Sequence, residues 1–300
     1  MNISVIIPTL NAQRSIGALI DTLLAQSIRC AEIIIIDSSS DDDTLSIAKQ
    51  KGCSTIVIPR QEFNHGTTRN KAAEAAKGDV LIFMTQDAMP LDTYMLENLT
   101  SALKEREIAA SFAKQTVDSN AMPVEKFARY FNYPDEYMVK AKEDIQRLGI
   151  KTFFFSNVCC AIKKDLFFRH GGFISTILNE DMTLAAKLIL SGYKTAYQPK
   201  AKVVHYHNYT LNRQFKRYFD IGVSLVENDL LKHAKPTGEG RRFVIDGIRY
   251  FLVKEKDILW LGYFFAEAIT KYFGYVAGIR YKYLPNMFRR LFSLHPVYFT

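Results

Sequence analysis

The first 84 residues alternate short apolar runs with segments of helical spacing, and this constrains the fold more than any other feature of the chain. "ISVIIP" from Ile3, "EIIIID" from Glu32, "STIVIP" from Ser54 and "DVLIFM" from Asp79 read as buried strands. Between the first two, Ile16, Leu19, Ile20, Leu23 and Leu24 recur at helical spacing. "DTLSIAKQKG" reads as a second helix stopped by Gly52, and a third is predicted from about Thr67 to Lys77. Four strands separated by three helices argue for an α/β protein with a mostly parallel sheet covered on both faces. Ligands of such sheets bind beyond the carboxyl ends of the strands. The residues there are Thr9 and Asn11, then Asp37 with "SSSDDD", then Asn64, His65 and Arg69 in "QEFNHGTTRN", then Gln86 and Asp87 in "TQDA".

Alternation weakens after Ala110. The polar stretch from Asp118 to Gly149 reads as an insertion over the site and is the candidate for a mobile lid. "TFFFSNVCCAI" predicts a strand or strand pair. "NEDMTLAAKLILSGYKTAYQPKAKVVHYH" predicts a helix over Glu180–Leu190, then a strand ending in His205 and His207, and the chain from Leu211 reads as mainly helical. At 300 residues and 48% hydrophobic, the chain can bury a sizeable core. Of its net charge of +8, residues 241–300 supply +6, and they hold 16 of its 38 aromatic residues. A basic, aromatic-rich end suits an anionic membrane surface; a solvated face on an ordinary helical subdomain is the plainer reading. No recognition motif accompanies the charge, so nucleic acid is not an expected partner. In the long apolar stretch from Ile258, Glu267 and Lys271 share one helix face, which favours a packed or interfacial amphipathic helix over a membrane span. The four cysteines lack metal-type spacing and read as reduced, buried thiols; with an apolar strand beginning at Ile3, no signal peptide is expected.

Neither GxGxxG nor GxxxxGK[ST] occurs, which weakens a dehydrogenase or NTPase reading. What remains is a set of acids and bases at strand ends. Asp37 could accept hydrogen bonds from a base or ribose, or merely cap a turn. Arg69 could neutralise a diphosphate or lie on the surface. Asp87, following "VLIFM", would be costly to bury unpaired, and a divalent cation bridging phosphates offers it a partner. Glu180 and Asp181 could serve as a base for a hydroxyl nucleophile or complement a helix dipole. His205 and His207, at alternate positions, could complete a metal site or be ordinary core histidines.

Five strings in order, "VIIPTLNA", "IIIIDSSSDDDT", "GTTRN" with "GDVLIFMTQDA", "NEDMTLAAKLILSGYKTAYQPKAKVVH" and "RQFKRY", make residues 3–220 resemble the family 2 inverting glycosyltransferases of GT-A fold. "FNHGTTRN", "TQDA" and "HYHNYT" with "RYFDIG" narrow the resemblance to bacterial rhamnosyltransferases of O-antigen and related polysaccharide assembly. The resemblance implies a catalytic domain over 1–220, with a nucleotide-binding half to about 115, and a helical region over 221–300. It implies that Pro8, Thr9, Asn11, Asp37 and Ser39 surround the nucleotide, together with Asn64, His65 and Gln86, and that Arg69 lies near the base or diphosphate. Asp87 takes the last place of a DxD metal motif whose first acid is here Thr85, so Mg²⁺ or Mn²⁺ would lean on Asp87 with His205 or His207. Asp181 matches the catalytic base, with Glu180 as an acceptor or orienting contact. Gln214, Arg217 and Tyr218 echo QxxRW, with Arg217 toward the diphosphate or acceptor. The implied donor is dTDP-β-L-rhamnose and the implied acceptor a lipid-linked saccharide of the undecaprenyl-diphosphate type; the charge and aromatic density of residues 241–300 add the expectation of a cytoplasmic protein, peripheral on the inner face of the cell membrane.

Three other readings compete. A family 2 transferase could use a UDP- or GDP-sugar. A sugar-nucleotide pyrophosphorylase would need a glycine-rich basic loop after its first strand, which "PTLNAQRS" lacks. A non-catalytic membrane-surface protein would use these acids only as turns and caps.

Overall fold

All four early apolar runs form strands: β1 (Ile3–Thr9), β2 (Glu32–Asp37), β3 (Ser54–Val57) and β4 (Val80–Met84). The computed structural model describes residues 1–299. Five strands follow: β5 (Met89–Pro90), β6 (Ile108–Thr116), β7 (Met138–Lys140), β8 (Cys159–Lys163) and β9 (Lys194–Val204). In the early half, α1 (Ile16–Leu24), α2 (Thr44–Gln50), α3 (His65–Ala75) and α4 (Met95–Ser101) pack on the sheet. Helices α5 (Pro123–Asn132), α6 (Ile145–Leu148), α7 (Lys164–Arg169) and α8 (Glu180–Leu190) occupy the middle of the chain. The carboxyl-terminal part is helical, as expected: α9 (Leu211–Glu227), α10 (Leu230–His233), α11 (Glu239–Arg249), α12 (Ile258–Ile279) and α13 (Asn286–Phe292).

The sheet runs β3-β2-β1-β4-β8-β6-β9-β5, with β7 also on β9. Strands β1 to β4 pair parallel, which brings the ends of β1, β2 and β4 to one edge. Beyond β4 the sheet is mixed: β8 is antiparallel to both β4 and β6, and β6 runs parallel to β9. Side chains alternate between two cores. Ile33 and Ile35 enter one and Ile34 and Ile36 the other, and adjacent Cys159 and Cys160 divide the same way. A strand covered on both faces needs no polar side, hence the unbroken isoleucines. Cys159 and Cys160 are buried, Cys30 and Cys53 half-buried, and all four are free thiols.

Three expectations are corrected. Leu24 is exposed, because four residues already fill the buried stripe of α1. Only Cys159–Ile162 of "TFFFSNVCCAI", the start of β8, is strand, since Gly149–Phe153 turns as a 3₁₀ helix. The polar stretch after Asp118 is not a free lid: in α5, Val124 and Phe127 are buried in an aromatic core with Tyr250, Phe251 and Phe264, and β7 is a sheet strand.

Helix α12 has an inverted face. Glu267 and Lys271 form a buried ion pair on its inner side, within reach of Gln214 of α9, while Ile258, Leu259, Ile269, Tyr272 and Phe273 are exposed. Close approach to α9 explains the glycines: a Cβ on Gly274 would lie 2.4 Å from the Phe215 carbonyl oxygen, and one on Gly278 2.2 Å from that of Phe219.

Candidate active site

At the ends of β1 and β2, Asp37 is wholly buried (0% exposed). One carboxylate oxygen accepts from Thr9 Oγ1 at 2.7 Å and Ser40 Oγ at 2.6 Å, and the other from the Ser40 N–H at 2.7 Å. With no exposed surface, Asp37 holds the turn after β2 through both oxygens, and three of its roughly four acceptor sites are filled within the protein. Pro8 is likewise buried within β1. Asn11 and Ser39, at φ 50° and 57°, adopt left-handed backbone that disfavours any residue but glycine by about 1 kcal/mol or more. The turn holds them there. Asn11 Oδ1 accepts from the Asp41 N–H at 2.9 Å, and Ser39 Oγ donates to the Ile58 carbonyl at 2.8 Å. Gln86 closes the third side, its amide clamping both the N–H and the C=O of Leu10.

Past β4, Asp87 is 43% exposed, so the penalty foreseen for burying it does not arise. Its two oxygens instead face His205 Nε2 and His207 Nε2, each at 3.5 Å. Both histidines sit just beyond β9, and the three ligand atoms lie within 4.8 Å of one another. His205 Nδ1 is 3.0 Å from Gln115 Oε1, whose own amide nitrogen donates to Tyr133 Oη and Ser156 Oγ. Gln115 Oε1 only accepts, so the proton is on Nδ1 and Nε2 turns a lone pair toward Asp87. Burial lowers the pKa of both histidines despite the opposing effect of Asp87, so they are neutral near pH 7. Lone pairs on nitrogen and carboxylate oxygen then face one another, an arrangement that a cation between them relieves. One carboxylate and two imidazoles fit a divalent transition ion such as Mn²⁺ better than Mg²⁺ and leave positions for phosphate oxygens.

At the start of α8, Glu180 and Asp181 diverge. Glu180 is 4% exposed; it accepts from Asn157 Nδ2 at 2.6 Å and pairs with Arg69 at 3.7 Å. Arg69 is 3% exposed and donates through Nη1 to the His65 carbonyl, while its buried Nε has no hydrogen-bond partner among the described residues. Glu180 is enclosed between Asn157 and Arg69, a placement that fits the orienting alternative. Asp181 remains half-buried, accepting from the backbone N–H of Asn157 at 2.9 Å and of Met182 at 2.7 Å. Burial first, then the neighbouring Glu180 charge, raises its pKa to about 7. A carboxylate poised there suits a general base. Asn179, the N-cap of α8, is left-handed at φ 62°.

Asn64 is the N-cap of α3, accepting from the Gly66 and Thr67 N–H groups, which starts the helix two residues earlier than predicted. His65 is half-buried, its pKa lowered to about 4 chiefly by burial, with its ring 5.8 Å from that of His295. Arg217, on α9, is close enough to depress the pKa of His65, His205, His207 and His295 alike. No carboxylate among the described residues lies within ion-pair distance of it. Arg217 is thus an unpaired cation beside four histidines that burial keeps neutral.

The structure therefore gathers Thr9, Asn11, Ser39, Gln86, Asp87, His205, His207, Asp181 and Arg217 around the strand ends, with Pro8, Asp37, Asn64, Arg69 and Glu180 as their supports. Sequence reasoning missed Gln115, Asn157 and His295. None belongs to a charged or periodic pattern, and each acquires its role by contact across the fold.

Residues 4–171 match the family described as Glycosyl transferase family 2. Over its full length the chain is 40% identical to the O-antigen chain rhamnosyltransferase RfbN of Salmonella typhimurium, covering 96% of that protein. It is 41% identical over 92% of its length to the O-antigen chain rhamnosyltransferase WbaN of Salmonella anatum, of which it covers 88%. A shorter match, 34% identical over 28% of this chain and 35% of the relative, is to the Escherichia coli UDP-Glc:alpha-D-GlcNAc-diphosphoundecaprenol beta-1,3-glucosyltransferase WfaP. Among solved structures, the mannosyltransferase PcManGT of Pyrobaculum calidifontis, in complex with GDP-Man and Mn²⁺, superposes with a TM-score of 0.63 at 16% identity, covering 94% of this chain and 88% of that one. On a family match over more than half of its length and about 40% identity with two rhamnosyltransferases, the chain belongs to glycosyl transferase family 2 and is a glycosyltransferase of GT-A-like fold.

Proposed function

We propose that this glycosyltransferase moves L-rhamnose from dTDP-β-L-rhamnose to a hydroxyl of a lipid-linked saccharide, in O-antigen or related surface-polysaccharide assembly. The observation that carries the reading is the 40% identity, end to end, with a named O-antigen chain rhamnosyltransferase. In it, Asp181 takes the proton from the acceptor hydroxyl. The freed oxygen attacks the anomeric carbon opposite the diphosphate, the carbon–oxygen bond to phosphate breaks, and the configuration inverts from β to α. Asn157 and Met182 N–H groups hold the base in place, and Arg217 takes up charge on the departing diphosphate. Asp87, His205 and His207 would hold a divalent cation, whose contribution when bound is further neutralisation of that diphosphate.

The same reading puts the protein peripherally on the inner face of the cell membrane. No helix among the described residues is long and apolar enough to cross one. Support comes from Ile258, Leu259, Tyr272, Phe273 and Met287, all exposed, and from Arg280, Lys282 and Arg290 on the same carboxyl-terminal region. Such residues gain from an anionic interface about 1 kcal/mol per basic group.

Titration calorimetry with dTDP-rhamnose, UDP-glucose, UDP-galactose and GDP-mannose, each with and without Mn²⁺, tests the donor. Selective, Mn²⁺-enhanced binding of dTDP-rhamnose that fades in Asp87→Asn is the expected result. Preference for a UDP- or GDP-sugar would replace the donor, and binding of none would remove the transferase reading of the site.

A further inference from the structure

Tyr209 joins the histidine–carboxylate cluster to α9. Its ring stacks on that of His207, with centroids 5.1 Å apart and planes 20° from parallel. The guanidinium carbon of Arg213 lies 5.0 Å from the centre of the same Tyr209 ring and that of Arg217 5.8 Å, both within cation–π range. Backbone contacts fix this meeting. The Tyr209 N–H donates to the His207 carbonyl at 2.9 Å, a tight turn just past β9, and Thr210 then caps α9 by accepting from the Arg213 N–H. Arg213 and Arg217, four positions apart, share one face of that helix, a spacing at which like charges repel. Neither has a carboxylate within ion-pair distance among the described residues. Arg213 is exposed and Arg217 half-buried, so a ligand can reach both.

Two unpaired guanidiniums gathered on one ring suit an anion with more than one charge, because arginine stacks on an aromatic face while its N–H groups stay free for phosphate oxygens. We infer that Arg213 is a second cation for the donor's diphosphate, and that Tyr209 is a positioning residue which holds Arg213, Arg217 and the ring of His207 around it. The inference rests on the role proposed above for Arg217 and adds two residues to it. When the carbon–oxygen bond breaks, its electron pair stays with the diphosphate, whose charge grows by one unit. Cations set in place beforehand stabilise that charge without reorganising. A long, flexible arginine loses rotamer freedom on binding, and a ring that already orients it lessens the loss. Charge from Arg213 already reaches His207, which puts this exposed residue beside the cluster.

The test sets a nucleoside diphosphate against its monophosphate. Calorimetry at saturating Mn²⁺ gives the affinities of dTDP and dTMP for the intact protein, Arg213→Met, Tyr209→Leu, Tyr209→Phe and Arg217→Ala. UDP with UMP and GDP with GMP are run alongside, so that a donor with another base changes the donor and not this comparison. The intact protein should prefer the diphosphate. Arg213→Met and Tyr209→Leu should each cut that preference by about tenfold, the loss of one charged contact or of two cation–π contacts, with the monophosphate bound as before. Tyr209→Phe, which keeps the ring, should keep the preference. A preference unchanged in Arg213→Met and Tyr209→Leu while Arg217→Ala lowers it, or a fall of both nucleotides alike in those two variants, would overturn the inference and leave Arg217 standing. A preference lost in Tyr209→Phe as fully as in Tyr209→Leu would overturn the role of the ring. Equal binding of di- and monophosphate to the intact protein would overturn both the inference and the role of Arg217.

Discussion

Replacing Glu180 by Gln should move the acid limb of the pH–activity profile to lower pH. Asn157 bridges the two carboxylates, its side chain 2.6 Å from Glu180 and its backbone nitrogen 2.9 Å from Asp181. That holds the charges within about 8 Å, worth roughly 2 kcal/mol of repulsion at an effective dielectric constant near 20. Arg69, 3.7 Å from Glu180, offsets part of this field. Removing the Glu180 charge relieves the repulsion and leaves Arg69 acting alone, so both changes favour ionised Asp181. The limb of kcat/KM, expected near pH 7 in the native protein, should fall by about one pH unit. Arg69→Met should move it the other way. The sign for stability follows from the same shift. Because Asp181 is raised above its ordinary 3.8, its bound proton favours the fold; that contribution is complete below about pH 4 and is lost as pH rises through about 7. The assay is release of nucleoside diphosphate between pH 5 and 9, with melting curves to confirm folding. A limb that stays in place in Glu180→Gln, or rises, would refute Asp181 as the group that titrates.

Gln115→Leu should weaken Mn²⁺ binding about 10- to 100-fold while the plateau rate at saturating Mn²⁺ is kept, because Gln115 orients His205 without touching the ion; calorimetric affinity equal to the native protein's would remove that role. Arg217→Ala should raise the Kd for nucleoside diphosphate roughly 10- to 100-fold, the loss of a charged contact worth about 1.5–3 kcal/mol. An unchanged Kd would place the diphosphate elsewhere. Gly278→Ala should destabilise the fold by about 1–3 kcal/mol in urea titration, since its methyl would stand 2.2 Å from the Phe219 carbonyl oxygen. Native stability in that variant would mean that α9 and α12 can separate at no cost.

Early strands were legible because isoleucine runs covered on both faces have few alternatives, and the end of β4 pointed to Asp87; Asp181 and the two histidines came from the later helix and strand patterns of α8 and β9. What stayed hidden shares a cause. Asp37, Arg69 and Glu180 were each read with a structural role beside a ligand role, and residue type alone does not show which neighbours they meet: Ser40 and Thr9 at Asp37, Glu180 at Arg69, and Asn157 with Arg69 at Glu180. Likewise α5 reads as polar insertion because only Val124, Phe127 and Ala128 of its face are buried apolar residues, and the aromatic core that receives them lies more than 100 positions downstream. Gln115 and His295 carried no pattern at all.

The central claim, a single displacement assisted by Asp181, is tested most directly by the anomeric configuration of the product. The protein is incubated with dTDP-β-L-rhamnose, Mn²⁺ and a lipid-linked saccharide, and the new linkage is read from the one-bond carbon–hydrogen coupling at its anomeric centre. An α-L-rhamnoside, absent when Asp181→Asn is used although that variant still binds donor, is the predicted result; a β-L-rhamnoside, or undiminished transfer by Asp181→Asn, would contradict the account.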